Sequence, residues 1–213
     1  MLMKKRTLFF SLFAMLLAAN VGVTWAKKNT LDESATSTTT LDANEQTHLV
    51  FMREEEKLAR DVYLTMFDAW GLPVFDNIAV SEQTHTDSVK DMIEKYRLAD
   101  PVVDDSVGVF VNQELATLYA QLIARGTQSA LEALHVGAYI EEVDMVDLAR
   151  ASEATDNADI RQLYENLMSG SRNHLRAYVG QIENLGVVYE AQYLSQDEVD
   201  AIVDSPIERG RRR

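Results

Sequence analysis

Glu55-Glu56-Lys57-Leu58-Ala59-Arg60-Asp61-Val62-Tyr63 is the stretch on which the fold turns. It lies inside a longer run whose apolar residues (Leu49, Met52, Ala59, Tyr63, Met66 and Trp70) recur at helical spacing. Glu56 falls on that same stripe, four after Met52, three before Ala59 and seven before Tyr63. Steps of three, four and seven stack side chains on one face of a helix, so an acid sits where a core residue belongs. The interruption recurs further along. Glu82 is four after Ile78 and seven before Val89, with His85 one turn on. Glu141 lies midway between Leu134 and Leu148, with Asp144 one turn on, and His174 follows Leu167 by seven and precedes Ala177 and Tyr178.

The surrounding pattern gives four long helices. The first runs from about 43 to 70, opened by Asp42 with Glu45 as a capping box and stopped by Gly71. The second opens between Pro73 and Asp76 and continues to about Leu98, with Ile78, Val89, Met92 and Tyr96 inward. A connection from Ala99 to Val111 follows, then a short helix from Asn112 to Arg125. Thr127 is expected to cap a long helix reaching about Ala151, and Asp156 another reaching Gly186. Ser195 and Glu198 announce a last short helix, again as a capping box. No strand-like alternation or internal repeat is visible. The expected fold is all-α: a four-helix bundle with a long crossover between its second and third long helices, plus short accessory helices.

Composition agrees. The 213 residues hold 46% hydrophobic and 25% charged residues, with only 9 glycines and 3 prolines, which suits one domain of long helices. The absence of cysteine removes disulfide scaffolds, iron–sulfur centres and zinc-thiolate folds. A net charge of −14 removes duplex nucleic acid as a partner and suits cations. No nucleophile-elbow serine and no Gly-rich phosphate loop appears. Lys4, Lys5 and Arg6, the apolar run from Leu8 to Ala19, and Thr24-Trp25-Ala26 read as a secretory signal peptide cleaved after Ala26. That apolar run is short for a membrane span, so no stable span is expected after processing. The chain then divides into a signal peptide (1–26), a linker rich in Thr, Ser, Asp and Lys that buries nothing (27–44), a helical bundle (45–205) and a tail (206–213) whose tip is Arg211–Arg213. The expected location is periplasmic or extracellular.

Four ionisable interruptions, one per long helix, need one physical reason. Burying a lone carboxylate costs several kcal/mol unless it is neutralised, and no inward Lys or Arg is evident. A pair of divalent cations solves the charge problem, and helical bundles hold such pairs with Glu and Glu-x-x-His. Glu82-Gln83-Thr84-His85 is one Glu-x-x-His. The metal-ligand candidates are Glu56, Glu82, His85, Glu141, Asp144 and His174, with Glu142 competing with Glu141 if the phase is wrong by one. The bland alternative is a metal-free bundle with a hydrogen-bonded polar layer. Glu54 and Glu55 are read as exposed neighbours. His48, about 12 Å from Glu56 along the axis, and His135, off the face of Glu141, are read as non-ligands. Tyr63 and Tyr178 are read as core aromatics, with hydrogen bonding to the site as the alternative, and Met52, Met66, Met92 and Met145 as core filler.

These residues resemble the ferritin-like superfamily, specifically its rubrerythrin-type branch. Glu56, Ala59, Arg60 and Tyr63 match the spacing of that branch's first helix, and Phe75, Glu82 and His85 that of its second. Residues 55–63, Gly137 to Leu148 and Gly170-Ser171-Arg172-Asn173-His174-Leu175 look closest to an uncharacterised branch, the domain of unknown function 2202. The resemblance spans about 45–205. It implies a ferritin-like bundle holding two irons, or manganese, in an oxidoreductase acting on peroxide, dioxygen or Fe²⁺. It also implies bridging or terminal roles for Glu56, Glu82, Glu141 and Asp144, and terminal roles for His85 and His174. Rubrerythrins carry a second Glu-x-x-His on the fourth long helix, whereas Ser171 stands three before His174 here. Without cysteine there is no rubredoxin-like domain, so electrons must come from an electron-donor protein or from bound Fe²⁺. A non-catalytic metal-binding or interaction module in the envelope is the alternative function, and assembly into an oligomer is compatible with either.

Overall fold

The computed structural model describes residues 40–209. The signal-peptide reading, most of the linker and the Arg211–Arg213 tip lie outside the described residues. Six helices follow in order: α1 (Ala43–Trp70), α2 (Pro73–Lys95), α3 (Gln113–Gly126), α4 (Ala130–Glu153), α5 (Ala158–Asn184) and α6 (Gln196–Val203). The described residues contain no strand.

Local chemistry sets most helix ends. Asp42 and Glu45 cap α1 reciprocally, and Gly71, with φ of 62°, turns the chain out of it. Asn112 accepts the Glu114 and Leu115 N–H groups at the start of α3, and Ser195 with Glu198 boxes the start of α6. Two expected caps are corrected. Ser129, not Thr127, caps α4, because its hydroxyl reaches the Glu132 N–H. Asn157, not Asp156, precedes α5 and makes no side-chain cap there. Its side chain and Thr155 instead bind the buried Glu45 at the start of α1. Helix α2 ends at Lys95, short of Leu98, and Arg97 takes a left-handed conformation with φ of 59°. Of its expected inward residues, Met92 and Tyr96 are only half-buried, and the Tyr96 hydroxyl is bound to Asp159.

Helix α1 packs along α2, and α4 along α5; the two pairs then meet through α1 with α4 and α2 with α5. At one end, Leu49, Met52, Val89, Ile93, Leu148, Ile160, Tyr164 and Leu167 form an apolar core. Leu41, inside the segment read as a linker that buries nothing, belongs to this core, so the packed unit begins ahead of α1. At the other end, Tyr63, Phe75 and Tyr178 pack ring against ring, with centroids 5.3 to 6.4 Å apart. The ionisable interruptions lie between these two zones.

The connection between α2 and α3 is fastened to α1 by charge. Arg53 binds Asp100 and Thr86. Lys57 binds Asp61 at 2.5 Å and the Ser106 carbonyl, and lies over the Phe110 ring. Arg60 joins Asp61, Asp105 and Gln83. Asp61 also takes the Gly108 N–H, and Glu54 the Val111 and Asn112 N–H groups. Arg53, Lys57 and Arg60 are buried beneath this strap and bound to it, not to the acids of the inner stripe. Glu54, expected to be exposed, is buried for the same reason.

Candidate metal centre

Helical phase brings the interruptions to one level. The antiparallel pair α1 and α2 sets Glu56 opposite Glu82 and His85, and α4 and α5 supply Glu141 and His174. Two overlapping groups result: Glu56, Glu82 and His85, and Glu82, Glu141 and His174. In each, one potential ligand atom per residue lies within 4.8 Å of the others. Glu82 is common to both. Its Oε2 is 2.8 Å from His85 Nδ1, and its Oε1 is 2.7 Å from His174 Nδ1. Glu56 Oε2 stands 3.2 Å from His85 Nδ1, and Glu141 Oε2 3.5 Å from His174 Nδ1. The two imidazoles stack with centroids 5.4 Å apart. The three glutamates are each 2% exposed, which places their charge in the interior.

Asp144 is not brought into either group. Its Oδ2 lies 2.5 Å from the Ser171 hydroxyl, and its Oδ1 is buried without a hydrogen-bond partner. Ser171 of α5, three residues before His174, thus ties up the Asp144 carboxylate. The choice between Glu141 and Glu142 is decided by direction. Glu142 points away from the groups and accepts from the Tyr189 hydroxyl and the Gln192, Tyr193 and Leu194 N–H groups, anchoring the segment before α6.

For Tyr63 the hydrogen-bonding alternative holds: its hydroxyl donates to Glu141 Oε1 at 2.5 Å. Other site neighbours depart from the sequence reading. Gly137 in α4 makes the adjoining room, since a Cβ there would lie 2.5 Å from the Tyr178 ring. Ser81, missed by the sequence reading, holds His174 Nε2 at 2.9 Å, which leaves Nδ1 facing the carboxylates. Glu55, expected to be exposed, is buried beside Asp147, and each keeps one oxygen without a hydrogen-bond partner. Only the position of Asp147, one turn beyond Asp144, could have flagged that second acidic layer. His48 and His135 are apart from both groups, and His135 stacks on Tyr189.

The electrostatics show how the protein alone balances this charge. Burial pushes the Glu56 carboxyl up to about 7, with His85 opposing the rise. Burial also raises Glu141, again opposed by its histidine, His174. Burial and then the Glu56 and Glu141 charges hold Asp144 well above the usual range. Glu82 goes the other way: although burial would raise it, His85 and His174 hold it far below an ordinary carboxyl. Both imidazoles are raised despite their burial, His174 to about 10 by Glu82 and Glu141. Without a metal, Glu82 holds both imidazoles toward their protonated form. No Lys or Arg among the described residues is bound to Glu56, Glu82 or Glu141.

Between the start of α2 and α5, a cleft of about 350 Å³ is lined by Leu72, Pro73, Val74, Ile78 and Ala177, among others. Ile78 is one turn before Glu82 and Ala177 one turn after His174, so the cleft lies over the seam beside the groups. Among the described residues no helix is long and apolar enough to cross a membrane.

Comparison with known proteins places this arrangement in a family. The uncharacterized protein domain DUF2202 matches residues 45–206. The uncharacterized protein MJ0754 of Methanocaldococcus jannaschii is 51% identical over 173 residues, covering 81% of this chain and 94% of its own length. The crystal structure of hypothetical protein MJ0754 from the same organism superposes with a TM-score of 0.79 at 49% identity. It covers 82% of this chain and 100% of that one. The chain belongs to the DUF2202 family.

Proposed function

We propose that this is an exported, ferritin-like four-helix-bundle oxidoreductase with a two-metal centre of iron or manganese. In this reading α1, α2, α4 and α5 are the bundle, and the segment between α2 and α3 together with α3 forms the crossover. Glu56 and His85 would hold one ion and Glu141 and His174 the other, with Glu82 common to both groups. The observation that carries the reading is the pairing of two Glu/Glu/His groups through Glu82, with a buried carboxylate oxygen left idle. Glu56 Oε1 is buried without a hydrogen-bond partner, and His174 Nδ1 faces oxygens of both Glu82 and Glu141. An idle buried oxygen is costly, and a cation satisfies it. Oxygen-rich coordination with two imidazoles suits iron and manganese.

A bound iron or manganese pair would supply two-electron chemistry, with peroxide or dioxygen as the electron acceptor and Fe²⁺ substrate or an external donor as the electron source. The chain's own residues prepare for it. Ser81 holds the Nε2 side of His174, which would leave Nδ1 as the nitrogen offered to a metal. Tyr63 donates to Glu141 Oε1 and fixes that carboxylate's rotation. The apolar cleft at Ile78 and Ala177, its lining residues nearest in sequence to Glu82 and His174, is where a small reactant would enter. Asp144 and Ser171 hold a proton beside the centre. Export of the chain and an external electron donor belong to the same proposal.

The test is elemental analysis of the purified full-length protein beside His85→Ala and His174→Ala, followed by peroxide-reduction and Fe²⁺-oxidation assays. Two iron or manganese ions per chain, one fewer in each variant, with turnover, is the expected result. Burial of all three glutamates also suits a non-catalytic, metal-sequestering module. Stoichiometric metal without turnover would select that second reading. No metal after anaerobic reconstitution would overturn both.

A further inference from the structure

Gly170 stands in the interior of α5, four residues before His174, where glycine is the poorest choice after proline. A Cβ at this position would lie 2.5 Å from Nε2 of His85, overlapping the ring, and 3.8 Å from Cε1 of His174. The His85 ring has no easy retreat. Its Nδ1 is engaged by Glu82 at 2.8 Å and Glu56 at 3.2 Å, and its face is stacked on His174. Gly180, in the same helix, provides the contrast, since a Cβ there would meet nothing within 4 Å.

We propose that Gly170 is a positioning residue for His85. The bare backbone of α5 is the wall that sets the imidazole so that Nδ1 meets Glu56 and Glu82 together. The functional half of this inference rests on the metal-centre reading; the placing of the ring does not. A methyl group at 170 drives the ring outward and takes Nδ1 from both carboxylates. The Glu56–Glu82–His85 group then loses its nitrogen, while the Glu82–Glu141–His174 group keeps its own.

The experiment compares Gly170→Ala, His85→Ala, the double variant and Gly180→Ala in the full chain. It reads the Tm of metal-free protein, and the ions bound per chain after anaerobic loading with Fe²⁺ or Mn²⁺. Gly180→Ala should leave Tm unchanged or raise it, reporting helix propensity alone. Gly170→Ala should lower Tm when His85 is present and raise it when His85 is replaced by alanine. It should also bind one ion where the parent binds two. An increase in both backgrounds, an equal decrease in both, or retention of two ions overturns the proposal. If Gly170→Ala alone does not fold, the double variant must, because the overlap is then gone; failure of both to fold also overturns it. A parent chain that binds no metal removes the metal-centre reading, and the reversal of sign still decides where Gly170 sets the ring.

Discussion

Glu82 offers one oxygen to each histidine, so its loss should be felt on both sides of the centre. Glu82→Gln keeps the size and removes the charge. The expected outcome is loss of both ions, against one each for His85→Ala and His174→Ala, measured by elemental analysis of anaerobically loaded protein. The same residues set a pH dependence for the metal-free chain. Glu56 rises from 4.5 to about 7 in the folded protein, and His174 from 6.5 to about 10. Both keep protons that the unfolded chain releases, so their contribution is present at low pH and lost as pH rises. Tm of chelator-treated protein should therefore fall between pH 4.5 and about 10, passing first through the Glu56 range and then the His174 range. Glu82 acts with opposite sign, and only at the acid end of that window. Metal loading should flatten the decline, because bound metal keeps its ligands deprotonated in the folded chain and its affinity rises with pH. A Tm that rises with pH in the metal-free chain would contradict this charge balance. Glu56, Glu82, Glu141 and His174 were legible in the sequence because helical phase alone places them. The roles of Ser81 and Ser171 were not, and that of Tyr63 only as an alternative, since each depends on how far one helix stands from another.

At the scale of the element, the strap between α2 and α3 decides what α1 can be. Its outward face carries Arg53, Glu54, Lys57, Arg60 and Asp61, a pattern that reads as a solvated surface. The strap covers them, and Asp61 accepts from Lys57, Arg60 and the Gly108 N–H. Asp61→Ala leaves Lys57 buried and unpaired, and should cost about 3–5 kcal/mol in urea unfolding. Amide exchange should accelerate across 100–111 in that variant. Asp42→Ala, which removes only a cap, should cost about 1 kcal/mol. The contrast explains which parts of the helices could be read. The Asp42–Glu45 and Ser195–Glu198 boxes and the Gly71 stop act within one turn, so sequence shows them. The burial of Glu54 and Glu55 comes from segments far along the chain. At the start of α5, Thr155 and Asn157 are drawn to Glu45, a partner more than a hundred residues away, and no local rule could predict it.

Across the whole molecule, an apolar end, a charged middle and an aromatic end follow one another along the helices. The apolar end is insensitive to metal: Met52→Ala should destabilise both loaded and metal-free protein by about 2–5 kcal/mol. The middle should respond to metal alone. Ions that bind only the folded chain raise its stability by mass action, so Tm should climb with free Fe²⁺ or Mn²⁺ and return on chelation. Calorimetry over a metal titration checks both statements on one sample. The donors are split between the two hairpins, with Glu56, Glu82 and His85 before the strap and Glu141 and His174 after it. Neither half of the chain owns a complete set of donors for two ions. Loaded as proposed, the centre would work as a coincidence detector: capture of the second ion would report that both halves have arrived and met, so metal content would measure assembly rather than mere synthesis.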